Sequence, residues 1–305
     1  MIGDKWEGCV NIPEGKSADY ALEHFTKKGP IPAWNARTML FGQPKQTVHF
    51  DGETKWHRLT YDGGVWMTDL PIEQVQHDRE LVPTKNADAV LVGGLGLGYA
   101  LTKMVRDYDV HEIDVVEISE HVINLVWPHV PPDVKERCRL HHADLFKFLE
   151  HPPTTRRFNN GNPIDVPDEW DVAFYDIWQS DGEGTFHSMV MPLREASYRI
   201  ADCVICWNED VMRGQLFNAL RSRKLMLDNP QICPPQNDPE ELKKFLRGND
   251  DPYHRWACPF WRGVLDGHVS DEEFNGAAAS YVREYGLHPD WKAVWEEEIS
   301  EGIYG

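Results

Sequence analysis

The stretch Val90-Leu-Val-Gly-Gly-Leu-Gly-Leu-Gly98 decides how this sequence is read. A short apolar run, Ala89 to Gly93, has the length and composition of a buried strand. Glycines at 94, 96 and 98 follow it at once, and an amphipathic stretch from Tyr99 to Asp107 follows them. A residue without Cβ lets the backbone turn sharply and lets another group approach its amides. Strand, glycine turn and helix in that order open a nucleotide-type βαβ unit.

The pattern continues outward on both sides. Ile113 to Glu117 reads as a second strand, and Ser119 caps the next helix, which Pro128 ends. CRLHHAD from Cys138 gives a third strand and Leu145 to Glu150 a helix. WDVAFYDIW carries a fourth strand and CVICWN a fifth. Alternation of this kind implies a parallel sheet with helices on both faces. Upstream, TVHF, WHRLTY and GVWM are short β-rich runs punctuated by Asp51-Gly52 and Asp62-Gly63-Gly64, and Pro71 to Leu81 reads as a helix. The expected organisation is therefore an N-terminal β-rich segment over 1–82, a Rossmann-like domain over 83–229 and a helical extension over 230–305. Residues 151–168, with four prolines and Asn-Asn-Gly-Asn, read as a surface loop.

Three acidic positions give the glycine turn a chemical meaning. Glu117 ends the second strand, 19 residues beyond Gly98, where a carboxylate can accept both hydroxyls of a ribose. Asp144 follows the third strand, where it can accept from an adenine amino group. Asp176 ends the fourth, at the carboxyl edge of the sheet where ligands bind. A dinucleotide fingerprint needs glycine at 99 or 101, and Tyr99 and Leu101 stand there. The GxGxG spacing fits S-adenosylmethionine better than NAD.

Taken together, VLVGGLGLG, VVEISEHVINLV, HHADLFKFL and WDVAFYDIW resemble the class I S-adenosylmethionine-dependent transferases, within them the spermidine synthase-like branch. The resemblance covers about residues 45–210 and implies a small N-terminal β-domain before a Rossmann-like parallel-sheet methyltransferase fold. It implies that Gly94, Gly96 and Gly98 line the methionine end of the cofactor, that Glu117 holds the ribose and that Asp144 holds the adenine. Asp176 matches the aspartate that deprotonates the attacking amine. His77 matches a histidine near the cofactor, with one residue inserted before it. The branch carries a second acid three positions after the catalytic one. Here Gln179 stands there, and the next acid is Asp181. Trp66 and Gln76 replace a usual glutamine and tyrosine.

The first expectation is thus methyl transfer from S-adenosylmethionine to an unidentified acceptor, a small molecule or a protein, with Asp176 as base and Trp178 walling the acceptor pocket. Aminopropyl transfer from decarboxylated S-adenosylmethionine is the alternative, with Asp181 standing in for the missing acid. A non-catalytic nucleoside-binding module, with C-terminal tryptophans as contact anchors, is a third. The net charge of −19 disfavours nucleic acid. The longest uncharged apolar run, Ala89 to Leu101, is shorter than the roughly 20 residues a membrane helix needs. MIGDKWEGCV has no apolar signal region, and the chain reads as cytoplasmic. Oligomeric state is left open, a homodimer included. Cys203 and Cys206 sit in an expected strand without a second ligand pair, and His141-His142 lack a third ligand, so no metal is expected. Trp256, Phe260, Trp261, Trp291 and Trp295 read as packing anchors.

Overall fold

The computed structural model describes residues 11–33, 47–152, 156–159, 162–165, 170–179, 183–229, 231, 238–248 and 257–300. The chain divides into two compact units, one of residues 1–179 and 196–208, the other of 180–195 and 209–305.

The first unit begins with a four-stranded antiparallel sheet of β1 (Gly15–Ser17), β2 (Tyr20–Lys28), β3 (Glu53–Tyr61) and β4 (Gly64–Thr68), in that spatial order. Asp62-Gly63 makes the tight connection between β3 and β4, with both residues at positive φ. Helix α1 (Pro71–Glu80) follows, with proline in its first turn, where a missing N–H costs nothing.

The parallel sheet contains β5 (Ala89–Gly93), β6 (Glu112–Glu117), β7 (Cys138–His142), β10 (Trp170–Tyr175) and β11 (Ala201–Cys206). Its order is β11-β10-β5-β6-β7, with every pairing parallel. Helices α2 (Tyr99–Asp107), α3 (Glu120–Val126) and α4 (Leu145–Glu150) follow β5, β6 and β7. Ser119 caps α3 by accepting from Val122 N–H, and Asp144 caps α4 by accepting from Phe146 and Lys147 N–H. Val90, Val92, Ile113, Val115, Val172 and Phe174 are buried in one core with Leu101, Met104 and Val105 of α2. The central strands β5 and β10 are apolar almost throughout, as expected of strands covered on both faces, whereas β7 at the sheet edge carries Arg139, His141 and His142. From β5 the strands are added outward on one side as β6 and β7 and on the other as β10 and β11, so the sheet has its topological switch point where β5 and β10 end.

The segment 151–168, expected as a loop, contains a hairpin instead. Strands β8 (Arg156–Asn159) and β9 (Asn162–Asp165) pair antiparallel, with Asn159 opposite Asn162. The sequence between them is Asn160-Gly161, the dipeptide favoured for two-residue connections. Prolines nearby masked that signal.

The second unit is helical where described: α5 (Glu209–Asp228), α6 (Pro239–Arg247), α7 (Cys258–Leu265), α8 (Phe274–Glu284) and α9 (Trp291–Ser300). Phe260, Trp261, Trp291 and Trp295 are buried, packed against Phe274, Tyr281 and Tyr285. These four aromatics are therefore packing anchors, and they are not available as exposed contact anchors; Trp256 lies outside the described residues. Glu209 is buried between Arg194 and Arg213, and Arg213 also donates to the carbonyls of Val282 and Tyr285. The two guanidinium groups hold the Glu209 carboxyl below its ordinary range despite burial. No helix among the described residues is long and apolar enough to cross a membrane.

Candidate active site

Strand ends place the site. Gly93 ends β5 and Tyr175 ends β10, and the Asp176 N–H donates to Gly93 O at 3.0 Å. Gly94 N–H in turn donates to Val116 O at 2.9 Å, tying the turn to β6. Gly94 has φ +96° and Gly96 has φ +52°, both left-handed. A Cβ at Gly94 would stand 2.4 Å from the Asp176 carbonyl oxygen, so this glycine is required by close backbone approach as well as by φ. At Gly96 a Cβ would meet only the thioether end of Met67, at 2.9 Å.

The turn, α1 and the end of β10 enclose a cavity of about 30 Å³ lined by Gly94, Gly96, His77, Asp176, Asp69, Glu73 and Gln74, with Met67 and Tyr99 at its walls. That is room for a water or two. Three of these residues are acidic, and no described lysine or arginine lines the space. Asp69 is held by His57, which donates its backbone N–H to Oδ1 at 2.7 Å and places Nδ1 2.6 Å from Oδ2.

His77 and Asp176 form a pair. His77 Nε2 is 3.2 Å from Asp176 Oδ2, and Nδ1 is 2.9 Å from the Glu73 carbonyl one turn back. Both ring nitrogens therefore face acceptors, which only the imidazolium satisfies. The rings of Tyr99, Phe174 and Trp207 surround it. Burial alone would lower the His77 pKa; the Asp176 carboxylate, the Glu73 carbonyl and Glu80 outweigh it and push it up to about 9. Burial pushes Glu80, one turn further along α1, up to about 8, against the pull of His77, the Asn208 N–H and Arg79.

These shifts carry a pH dependence of stability. Below 6.5 the His77 contribution is fully present, and it is lost as pH rises through about 9. The raised Glu80 also makes the native chain hold a proton that the unfolded chain releases, so its contribution falls between 4.5 and about 8. Stability in urea is therefore expected to decline from pH 6.5 to 9, at about 1.4 kcal/mol per pH unit for each extra proton held. His77→Gln should flatten that slope, and an equally steep decline in the variant would assign it elsewhere.

The other expected site residues that are described do not line this cavity. Glu117 ends β6, buried, with Oε2 accepting from Leu95 N–H at 2.9 Å and Oε1 from Ser119 N–H at 2.8 Å. It thus holds the glycine turn itself, and burial pushes its pKa up against these bonds. Gly98, at φ +75°, stands at the N-terminus of α2. The Asp144 cap bonds both fall on Oδ1. Trp178 is buried. Gln179 donates its amide to Val65 O at 2.9 Å, and Asp181 lies outside the described residues. Sequence reasoning missed Asp69, Glu73, Gln74 and Glu80. The HxxE spacing from His77 to Glu80 was the available signal for the last, since i and i+3 share a helix face.

No family model matches the sequence, and no curated protein matches it. Among solved structures, the chain is similar to a spermidine synthase in complex with the transition-state analogue AdoDATO. Identity is 16%, TM-score 0.36, and the match covers 62% of this chain and 54% of that one. It is also similar to the spermidine synthase of Thermotoga maritima, at 15% identity and TM-score 0.36, over 68% of this chain and 62% of that one. The chain thus spans between about half and three-fifths of the length of these two proteins. By its own strand order and glycine turn, the chain carries a Rossmann-like α/β fold.

Proposed function

We propose that this protein is a transferase that moves an alkyl group from S-adenosylmethionine, or its decarboxylated form, to a small amine acceptor. The observation that carries this reading is Asp176: a carboxylate at the switch point, beside Gly94, paired with His77 and sharing a cavity with two further acidic residues. Three acidic residues against one imidazolium, with no lysine or arginine among the described lining residues, suit a cationic or amine ligand. Nucleic acid and membrane are not among the proposed partners.

The residues suit the cofactor in kind. Gly94, Gly96 and Gly98 would take its methionine end, Glu117 its ribose and Asp144 its adenine. A carboxylate has about four acceptor positions, and the bonds from Leu95 and Ser119 use only part of Glu117's capacity. When bound, the cofactor supplies an electrophilic carbon on a sulfonium. The chain's own contribution is to orient the acceptor and remove its proton. Asp176 accepts that proton, while the imidazolium of His77 fixes the carboxylate by donating from Nε2.

Methyl transfer is the first reading. Position 179, where aminopropyltransferases carry their second acid, is a glutamine engaged with Val65. Incubation with decarboxylated cofactor and putrescine separates the two: spermidine and methylthioadenosine would establish aminopropyl transfer. Mass spectrometry of the purified protein for carried-over nucleoside tests the cofactor itself, adenosylhomocysteine supporting methyl transfer. Glu117→Ala is expected to weaken S-adenosylmethionine binding by about 1.5–3 kcal/mol, the range for hydrogen bonds to a charged group. Titration calorimetry showing unchanged affinity would place the ribose elsewhere.

A further inference from the structure

Helix α1 carries a second carboxyl group close to His77 that does not line the cavity. Glu80 follows His77 by one turn, its side chain is 10% exposed, and Oε1 accepts the Asn208 N–H at 3.0 Å. Its other oxygen, Oε2, is buried with no hydrogen-bond partner among the described residues. Arg79 Nη2 approaches at 3.7 Å, but that side chain is 41% exposed. The groups around the pair are thus Asp176 from the end of β10, Asn208 from beyond β11, and Glu73 and Arg79 from α1. Tyr99 of α2 packs against His77 with its ring and gives its hydroxyl hydrogen to Asp78.

One imidazolium therefore stands among two nearly buried carboxyl groups. Two carboxylates and one cation leave a net negative charge out of water, which is costly. Retaining one proton on the carboxyls removes it.

We propose that Glu80 is a positioning residue of this site that shares one proton with Asp176 across His77, so that Asp176 takes a proton from the acceptor as Glu80 gives one up. The proton leaves the acceptor nitrogen for an Asp176 oxygen. The O–H bond of Glu80 breaks, its electron pair stays on the carboxylate, and the proton passes to solvent. His77 keeps both of its N–H bonds, with Glu80 replacing Asp176 as its counter-ion. Burial favours the protonated form of Glu80 at rest, which agrees with the upward shift of its pKa.

This rests on the proposed role of Asp176, yet its test needs neither cofactor nor acceptor. NMR titration of the full chain, with ¹⁵N-histidine and ¹³C-carboxyl labels, follows His77 and Glu80 directly. In Asp176→Asn, Glu80 becomes the sole acid beside His77, and its midpoint should fall, read in the pH range where His77 is still protonated. In Glu80→Gln, the His77 midpoint should fall by about one unit, because one of its two acids is gone. A Glu80 midpoint unmoved by Asp176→Asn in a folded protein would overturn the shared proton. So would a His77 midpoint unmoved by Glu80→Gln. Glu80→Asp keeps the charge and should restore part of the His77 midpoint if Glu80→Gln folds poorly. Calorimetry with S-adenosylmethionine on the same samples tests the transferase reading separately, so the two can fail independently.

Discussion

Asp176→Asn is expected to lower turnover by about 10²–10⁴, the usual contribution of a positioned base, while leaving nucleoside affinity near its wild-type value. The substitution preserves shape and removes the basic oxygen. Asp176 follows the apolar strand VAFY, and its backbone N–H is fixed to Gly93 O, so the peptide should hold its place. The carboxylate lines the cavity beside Gly94, whereas Glu117 and Asp144 lie outside it, so the nucleoside contacts are separate from the proton acceptor. His77 loses its anionic partner in the variant, and its midpoint should fall with the rate. The measurement is single-turnover kinetics with the acceptor identified by the putrescine experiment or by a screen of small amines with S-adenosylmethionine, alongside calorimetry. Weak binding with normal turnover at saturation would move Asp176 from the chemistry to the cofactor shell. If neither changed, Asp181 and His187 would be the next bases to test.

The architecture was legible where local signals and tertiary packing agree. Tyr99 to Asp107 and Leu145 to Glu150 form helices over the expected residues because Gly98 and Asp144 mark their starts. The central strands β5 and β10 were legible because strands covered on both faces demand apolar runs. The hairpin at Arg156–Asp165 was not, since Pro163 within a run argues against a strand while Asn160-Gly161 argues for a turn. At the site, Gly94, Gly96 and Asp176 could be found because each stands at a strand end or turn with its own local signature. Asp69 and Gln74 had none, and Glu80 had only its i, i+3 spacing from His77. A polar residue on a helix reads as solvated until something distant buries it, and Asn208, which meets Glu80, lies 128 residues away. The meeting of His77 with Asp176 spans 99 residues, so family resemblance put them near one ligand but could not show that they pair.

Gly94→Ala is expected to destabilise the first unit by about 3–5 kcal/mol, far more than Gly96→Ala, although both replace a left-handed glycine in the same turn. A non-glycine residue in this region costs about 1–2 kcal/mol from backbone sterics alone, and both variants bear that cost. They differ in what the new methyl group meets. At position 94 it would lie 2.4 Å from the Asp176 carbonyl oxygen, an atom of the backbone at the end of β10. Relieving that overlap means separating β5 from β10 at the switch point, where Asp176 N–H is bonded to Gly93 O. At position 96 it would meet the flexible end of Met67 at 2.9 Å, and a thioether tail can rotate away. Gly96→Ala should therefore cost only about 1–2 kcal/mol, and the side chain it displaces borders the cavity. Urea unfolding of the two variants measures the difference, and NMR of His77 reports whether Asp176 has moved. Equal and small losses in both would mean that the glycine turn and the Asp176 backbone are not in contact. The proposed juxtaposition of cofactor and base would then lose its structural support.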